Sequence, residues 1–295
     1  MNYLFEAEAL VRTFGDQVAL DAIDVRIPRG SVVGLIGRNG SGKTTLLNHV
    51  TGLLLPDSGR CTTFGTDTAK LERKELVRIG AVFQENRLLG WMTVEQHLRY
   101  VAAFHDRWDT EREALLLEEL ELDRRKRVAQ LTPGNSQKLA LVLAVCSRPE
   151  LLLLDEPVSA LDPIAREKML RFLLEAVAED EATIVISSHI LRDVERVVDR
   201  VLCLEQGRVC ADAALDDLLE SYVEWSVINH NGGLPAAFDE PYVLSQEGDA
   251  HQALLFVQGG EDERAEFERR HGAEVVTRAA NLEAIFPHLI GRGGR

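Results

Sequence analysis

Residues 37–44, here called the phosphate loop, combine residue types and a spacing that can hold a chain of phosphates. The segment consists of Gly37, Arg38, Asn39, Gly40, Ser41, Gly42, Lys43 and Thr44, is followed by Thr45, and matches G-x-x-x-x-G-K-[ST] between a predicted strand and a predicted helix. Glycines let the backbone curl around an anion, so that N–H groups and the helix N-terminus face the β- and γ-phosphates. Lys43 would place its charge on the transferring oxygens, and the Thr44 hydroxyl would bind Mg²⁺. Taken alone, the segment is also compatible with a glycine-rich turn that binds nothing.

Asp155 and Glu156 are consecutive carboxylates that follow a run of leucines at residues 151–154. Such a run predicts a strand that is buried on both faces of a sheet. At the carboxyl end of this strand, Asp155 would lie beside the phosphate loop and hold the Mg²⁺ shell. Glu156 would orient or deprotonate the attacking water. Paired acids can also merely end a strand and cap a helix, but together with the phosphate loop they predict nucleotide hydrolysis.

The overall composition excludes several classes of protein. The 295 residues are 45% hydrophobic and 27% charged, which is typical of a globular protein, and the net charge of −15 argues against a sequence-independent nucleic-acid binder. No apolar run approaches the roughly 18 residues that span a bilayer, and the N-terminus has no signal-peptide pattern. The four cysteines lack metal-site spacing and predict free thiols in a reducing compartment. We therefore expect a cytoplasmic protein that does not bind nucleic acid.

Strand and helix signals alternate from the N-terminus to about residue 218. Strand-like patterns cover residues 4–11, 18–27, 31–36, 151–155, 183–187 and 200–204. Helical patterns cover residues 43–53, 163–178 and 190–198, and residues 93–147 resemble a helical insertion with few strand signals. This alternation predicts an α/β fold whose mostly parallel sheet is covered by helices on both faces.

The pattern changes after about residue 219. Short strand-like runs at residues 222–228 and 253–257 are separated by loops that contain glycine and proline. We predict a small α+β accessory domain at residues 219–295, with its own hydrophobic cluster.

Further motifs follow the order found in one family of ATPases. They are Phe14, Gln84 within residues 81–85, the segment 131–135 with Thr132 and Gly134, the segment Ser159-Ala160-Leu161-Asp162, and His189 after two serines. Together with the phosphate loop and the carboxylates, they resemble the ATP-binding subunits of ABC transporters over residues 1 to about 215. The resemblance implies a P-loop NTPase fold with an antiparallel β subdomain, and ATP and Mg²⁺ as ligands.

The resemblance also implies roles for these residues. Phe14 would stack on adenine, Gln84 would contact Mg²⁺ or the attacking water and sense the membrane partner, and His189 would assist Glu156 in hydrolysis. The implied metal ligands are Thr44, Gln84 and Asp155.

Two subunits are expected to share each nucleotide. In the family, residues equivalent to Thr132 and Gly134 contact the ATP of the other subunit, so that two ATP molecules hold two copies head to tail. Asp162, the last residue of the implied D-loop, would also belong to the nucleotide-binding set.

The segment 131–135 departs from the family's L-S-G-G-Q signature. Thr132 keeps the hydroxyl and Gly134 keeps the close backbone approach, but Pro133 removes an N–H donor and fixes φ, and Asn135 shortens the glutamine. Loss of one donor to a charged oxygen costs about 1.5–3 kcal/mol. We therefore expect reduced but measurable ATPase activity, unless Pro133 only shapes the start of the helix.

A multi-helix membrane permease, encoded separately, is the implied partner, and it would hold this subunit at the inner face of the cell membrane. Residues 280–290 are similar to the S-L-E-x-I-F tail of type 2 ABC exporters, which favours export. Residues 86–92 are apolar for a surface loop, so Leu89 and Trp91 either border a docking groove for the permease or belong to the core of the helical insertion. A soluble ABC-fold ATPase acting on ribosomes or DNA is the alternative function, although the acidic charge disfavours it.

Overall fold

The computed structural model describes residues 2–84, 88–158, 161–229, 233–249 and 251–291. The chain divides into two compact units, Met1–Asp212 and Ala213–Arg295. The domain boundary predicted at residues 218–219 falls inside a helix, Leu215–Ser221, and the division lies before that helix.

Strands and helices alternate through most of the chain. The strands are β1 (Tyr3–Phe14), β2 (Gln17–Pro28), β3 (Val32–Ile36), β4 (Ser58–Thr63), β5 (Thr66–Asp67), β6 (Ile79–Val82), β7 (Leu151–Asp155), β8 (Thr183–Ser187), β9 (Arg200–Glu205), β10 (Arg208–Ala214), β11 (Tyr222–Ile228), β12 (Val243–Gly248), β13 (Gln252–Gln258) and β14 (Glu274–Ala279). The helices are α1 (Lys43–Val50), α2 (Arg73–Leu76), α3 (Val94–Ala102), α4 (Thr110–Glu119), α5 (Pro133–Cys146), α6 (Pro163–Asp180), α7 (Leu191–Glu195), α8 (Leu215–Ser221), α9 (Glu261–His271) and α10 (Leu282–Ile290).

A six-stranded sheet in the order β10-β9-β3-β8-β7-β6 forms the centre of the first unit. The pairs β3–β8, β3–β9, β7–β8 and β6–β7 are parallel. Every residue of β3, β7 and β8 is buried, which explains why these strands are continuous apolar runs in the sequence. The parallel order places the carboxyl ends of β3, β7 and β8 side by side. The phosphate loop follows β3 there, and Asp155 and Ser187 are the last residues of β7 and β8.

A second sheet of the first unit has the order β2-β1-β4-β5, and its β1–β2, β1–β4 and β4–β5 pairs are antiparallel. Helix α1 packs between the two sheets in one hydrophobic core, to which Phe5 and Ile27 contribute from one sheet and Leu35 and Leu153 from the other. The mostly parallel sheet and the antiparallel β subdomain confirm the predicted fold class.

Helices α3, α4 and α5 occupy the predicted helical insertion between β6 and β7. Two other helices are shorter than predicted. Helix α1 ends at Val50 and is followed by Gly52 at a φ of 71°, a left-handed conformation that stops a helix. Helix α7 covers only Leu191–Glu195 of the predicted 190–198. Within the described residues, no helix is both long and apolar enough to cross a membrane.

The second unit is a small α+β structure. Its sheet has the order β12-β13-β11-β14, and the pairs are antiparallel. Helix α9 packs on one face, where Phe267 contacts Trp225 with ring centroids 5.4 Å apart. Aromatic rings in this edge-to-face arrangement stabilise a core beyond the area they bury.

Candidate active site

The phosphate loop joins the buried strand β3 to helix α1. Gly37 (φ 152°) and Gly42 (φ 108°) adopt backbone conformations that residues with a side chain rarely take. A Cβ on Gly37 would collide with the carbonyl oxygen of Leu204, and one on Gly42 would lie 2.6 Å from the carbonyl oxygen of Ala19. The loop therefore curls as it does only because both positions lack a side chain.

Two segments that are distant in the sequence fix the backbone of the phosphate loop. The N–H of Gly207 donates to the carbonyl oxygen of Ser41 (3.0 Å), and the N–H of Asp21 donates to the carbonyl oxygen of Gly207 (2.8 Å). Gly207 has a φ of 77° and lies so close to Ala19 that a Cβ would be 2.9 Å from its carbonyl oxygen. The turn between β9 and β10 and the strand β2 thus hold the loop in one conformation.

Lys43 is buried, and its ammonium group lies within the phosphate loop. Its Nζ donates to the carbonyl oxygens of Gly37 (2.8 Å) and Arg38 (3.0 Å). Burial lowers the pKa of Lys43, while the nearby carboxylates of Glu156 and Asp155 act in the opposite direction. A bound phosphate would add another negative charge and so favour the protonated ammonium.

Ser41 provides a test of whether the loop fits an anionic ligand. Its hydroxyl oxygen is buried and, among the described protein atoms, has no hydrogen-bond partner. Native proteins rarely leave such a group unsatisfied. An incoming phosphate oxygen would accept this hydrogen bond, so the residues present fit a polyphosphate.

Asp155 is held in place from two sides. Thr44 Oγ1 donates to Asp155 Oδ2 (2.6 Å), and Ser187 Oγ donates to Asp155 Oδ1 (2.6 Å). Asp155 pairs with Ser187 in the register of β7 and β8. A threonine hydroxyl and a carboxylate are both hard oxygen ligands of the type that Mg²⁺ prefers, so the contact between Thr44 and Asp155 fits a magnesium site.

Glu156 follows β7 in a left-handed conformation (φ 52°), which is uncommon for a residue with a side chain. Its N–H donates to Ser187 Oγ (3.0 Å), and Gln137 Nε2 donates to its carbonyl oxygen (3.4 Å). Its Oε2 lies 2.7 Å from His189 Nδ1. These contacts hold Glu156 in the uncommon backbone conformation and leave its carboxylate within hydrogen-bond distance of His189.

An open cavity of about 600 Å³ brings these groups together, a volume in the range of small-molecule sites. It is lined by Phe14, Gln17, Ala19, Asn39, Gly40, Gly42, Lys43, Thr44, Thr45, Gln84, Asp155, Glu156 and His189. Phe14 is 47% exposed, and the guanidinium of Arg12 lies 4.9 Å from its ring centroid. The exposed ring is therefore available for stacking beside the phosphate loop.

Thr132 and Gly134 do not line this cavity. Thr132 caps helix α5, because its Oγ1 accepts a hydrogen bond from the N–H of Asn135 (3.3 Å). Pro133 is the first residue of the helix, where its missing N–H removes no intrahelical hydrogen bond. The proline therefore suits the start of α5.

Asp162 lies outside the cavity as well and caps helix α6. Its Oδ1 accepts hydrogen bonds from the N–H groups of Ile164 (3.0 Å) and Ala165 (2.9 Å). The first two residues of the implied D-loop, Ser159 and Ala160, lie outside the described residues, as do residues 85–87 after Gln84.

Sequence reasoning missed several residues that shape the site. Ser187 contacts both Asp155 and Glu156, although the only signal for it was its place at the carboxyl end of a predicted strand. Gln17 lines the cavity and Gly207 holds the phosphate loop. Neither gave a local signal in the sequence, since both act through contacts with distant segments.

Comparison with known proteins gives one family. The sequence model of the ABC transporter family matches residues 20–159 of this chain. The chain is 30% identical to the Nod factor export ATP-binding protein I of Rhizobium etli, over 95% of this chain and 91% of that protein. It is 29% identical to the bacitracin transport ATP-binding protein BcrA of Bacillus licheniformis, over 99% of both chains.

Solved structures agree with these relatives. The structure of an ATP-binding subunit of an ABC transporter superposes with a TM-score of 0.67 at 33% identity and covers 73% of this chain and 91% of that one. The dimeric structure of MJ0796, a bacterial ABC transporter cassette, gives a TM-score of 0.64 at 26% identity, with 72% and 98% covered. The same cassette is also known in a post-hydrolysis state bound to ADP and Pi, at 25% identity, a TM-score of 0.64 and the same coverage. The chain therefore belongs to the ABC transporter family, as an ATP-binding subunit that hydrolyses ATP.

Proposed function

We propose that this subunit hydrolyses MgATP to drive export through a separate membrane permease. The observation that carries the proposal is the convergence of Lys43, the Thr44–Asp155 contact and the Glu156–His189 contact on one open cavity. Positioning and charge are what phosphoryl transfer requires of a protein.

Each group in the cavity has a proposed role. Phe14 stacks on adenine, and the N–H groups of the phosphate loop, with Lys43, neutralise the phosphates. Glu156 orients and deprotonates the attacking water, and the neighbouring His189 donates a hydrogen bond from Nδ1 to the Glu156 carboxylate and so holds it in position. Thr44, Asp155 and Gln84 would hold Mg²⁺, which supplies positive charge beside the phosphates when it is bound.

A second copy is proposed to complete each site. Thr132 and Gly134 lie outside the cavity at the start of α5, which is consistent with a role toward a partner subunit. The dimeric form of a related cassette supports this arrangement. Because ATP would bind the closed pair better than the open one, ATP binding favours closure.

Export and the membrane partner are proposed from the relatives. One relative is named for Nod factor export and the other for bacitracin transport, and both match nearly the full length of the chain. The similarity of residues 280–290 to the exporter tail points the same way. The subunit would act at the cytoplasmic face of the membrane, bound to its permease.

The proposal is tested with the purified full chain and radiolabelled ATP. We expect Lys43→Ala to abolish ATP binding, because the phosphates lose the buried cation. We expect Glu156→Gln to bind MgATP, to lose turnover and to dimerise more tightly in gel filtration when MgATP is present than when it is absent. If Lys43→Ala binds ATP as well as the wild type, or if Glu156→Gln stays monomeric with MgATP, the proposed mechanism is wrong.

A further inference from the structure

Strand β14 forms one edge of the sheet in the second unit. It pairs with β11 from Glu274 to Ala279 without a register shift, and among the described residues no other strand pairs with it. The opposite edge strand, β12, has a register shift between Val243 and Ser245 and ends at a glycine with a φ of 148°. Proteins commonly protect sheet edges through such irregularity, and a regular edge remains able to pair with another strand.

The hydrogen bond of Val275 shows which backbone groups of β14 point outward. Its N–H donates to Glu268 Oε1 (3.2 Å) and thus points away from β11. Backbone groups of an antiparallel strand alternate in direction from one residue to the next. The N–H and C=O groups of Val275, Thr277 and Ala279 therefore face the open edge.

The sequence of β14, Glu-Val-Val-Thr-Arg-Ala, is complementary to itself in one antiparallel register. If Val276 pairs with Val276 of a second copy, Val275 comes opposite Thr277, and both carry outward backbone groups that can exchange hydrogen bonds. The same register places Glu274 opposite Arg278 on both sides of the two-fold axis. These two positions and Val276 are then non-hydrogen-bonded pairs, in which side chains approach most closely.

The exposure of the side chains agrees with this register. Glu274, Val276 and Arg278 alternate along the strand, share one face of the sheet and are exposed. Val276 is 47% exposed, although β-branched residues favour packing in sheets. A symmetric contact would cover Val276 with its own copy and surround it with two pairs of opposite charge.

We propose that β14 pairs with β14 of a second copy, antiparallel and centred on Val276, as a dimer contact that needs no nucleotide. Symmetric contacts of this kind use one surface on both partners, and strand addition gains its affinity from main-chain hydrogen bonds. The Glu268 side chain gives up its bond to Val275, and the carbonyl oxygen of Thr277 in the second copy replaces it. The contact would keep two subunits together between cycles of ATP binding.

Charge reversal tests the pairing in the nucleotide-free full chain, with sedimentation measured in the presence of a chelator. We expect Arg278→Glu to raise the dimer Kd by about tenfold, because two cross-strand ion pairs become like-charge pairs. The double variant Glu274→Arg with Arg278→Glu should restore the wild-type Kd, since the opposite charges then only exchange places. Glu247→Arg, a charge reversal on the exposed β12 edge, should leave the Kd unchanged.

Cysteine cross-linking tests the register. We expect Val276→Cys to form a disulfide-linked dimer under mild oxidation, because the two-fold axis brings residue 276 of both copies within about 4.5 Å at Cα. Thr277→Cys is the matched control and should not cross-link to itself, since it lies opposite Val275 on the other face. The wild type shows the background of the four native cysteines, which are free thiols.

Two results would overturn the proposal. One is a wild-type chain that stays monomeric without nucleotide while Val276→Cys fails to cross-link. The other is a Val276→Cys protein that, in membranes, cross-links only to a different polypeptide. Because these measurements use no ATP, they are independent of the dimerisation with MgATP expected for Glu156→Gln.

Discussion

Ser187 is the residue that connects the two carboxylates of the site. Its hydroxyl donates to Asp155 Oδ1 and accepts from the N–H of Glu156. A single buried side chain thus orients the proposed metal ligand and the proposed base at once. The left-handed backbone of Glu156 depends on this contact, because the strained conformation persists only where neighbours hold it.

We therefore expect Ser187→Ala to lower the ATPase rate by about 10- to 100-fold, since a buried hydrogen bond to a charged group contributes about 1.5–3 kcal/mol. Steady-state phosphate release measures the rate. Ser147→Ala is the matched control, because Ser147 is also buried and its hydroxyl donates to the carbonyl oxygen of Ala144 (2.9 Å), away from the cavity. Equal activities of the two variants would contradict the role given to Ser187.

At the scale of elements, the phosphate loop depends on how it packs against its neighbours. Gly207, in the turn between β9 and β10, donates a hydrogen bond to the loop, and Ala19 of β2 lies against Gly42 of the loop. Gly37 and Gly40 both have positive φ angles, but a Cβ on Gly37 would collide with Leu204, whereas one on Gly40 would meet nothing within 4 Å. A comparison of substitutions at the two glycines therefore distinguishes the cost of a steric collision from the cost of a positive φ angle.

Gly37→Ala should lower the thermal stability of the nucleotide-free protein clearly more than Gly40→Ala does. The Gly40 variant loses only the conformational preference of glycine, about 1–2 kcal/mol, whereas the Gly37 variant must also displace the backbone of Leu204. Thermal unfolding without nucleotide measures both. Similar losses in the two variants would show that packing against the end of β9 does not hold the loop.

The residues at the start of helix α5 explain its departure from the family signature. Pro133 lies at the first position of the helix, and Thr132 caps it. The structure fits the explanation that Pro133 shapes the helix, while the donor missing from the family signature remains a reason to expect slower turnover. Turnover of the wild type that does not exceed that of Glu156→Gln would refute the expectation of measurable activity.

At the scale of the whole molecule, the proposed interaction with a permease needs an accessible surface. Trp91 is 68% exposed, and the next residue, Met92, is buried at 8%. The alternative that Trp91 belongs to the core of the helical insertion is therefore wrong. Leu89 is partly buried, and residues 86 and 87 lie outside the described residues.

Trp91→Ala should leave the thermal unfolding temperature unchanged and reduce co-purification with the permease by about tenfold or more, because exposed aromatic residues often dominate the binding energy of an interface. Pull-down from solubilised membranes measures the complex. Leu53→Ala, which removes another exposed apolar side chain (66%), serves as the control. Normal assembly of the Trp91 variant would contradict a docking role.

The sequence by itself determined the chemistry of this protein. The phosphate loop acts through glycines, a lysine and a helix start that are contiguous in the chain, so its pattern is visible without a fold. The position of Asp155 and Glu156 at the carboxyl end of a buried strand could be predicted from the apolar run that precedes them. The alternation of strands and helices predicted the parallel sheet, since each pattern repeats with the period of its element.

The tertiary structure decided which distant residues meet. Thr44 and Asp155 are 111 positions apart, and Glu156 and His189 are 33 apart, and their contacts depend on the order of strands in the sheet. The order of strands also brings Gly207 against the phosphate loop and Ser187 against both carboxylates. The open edge of β14 also appeared only in the sheet, because a strand's own sequence does not show which neighbours it lacks.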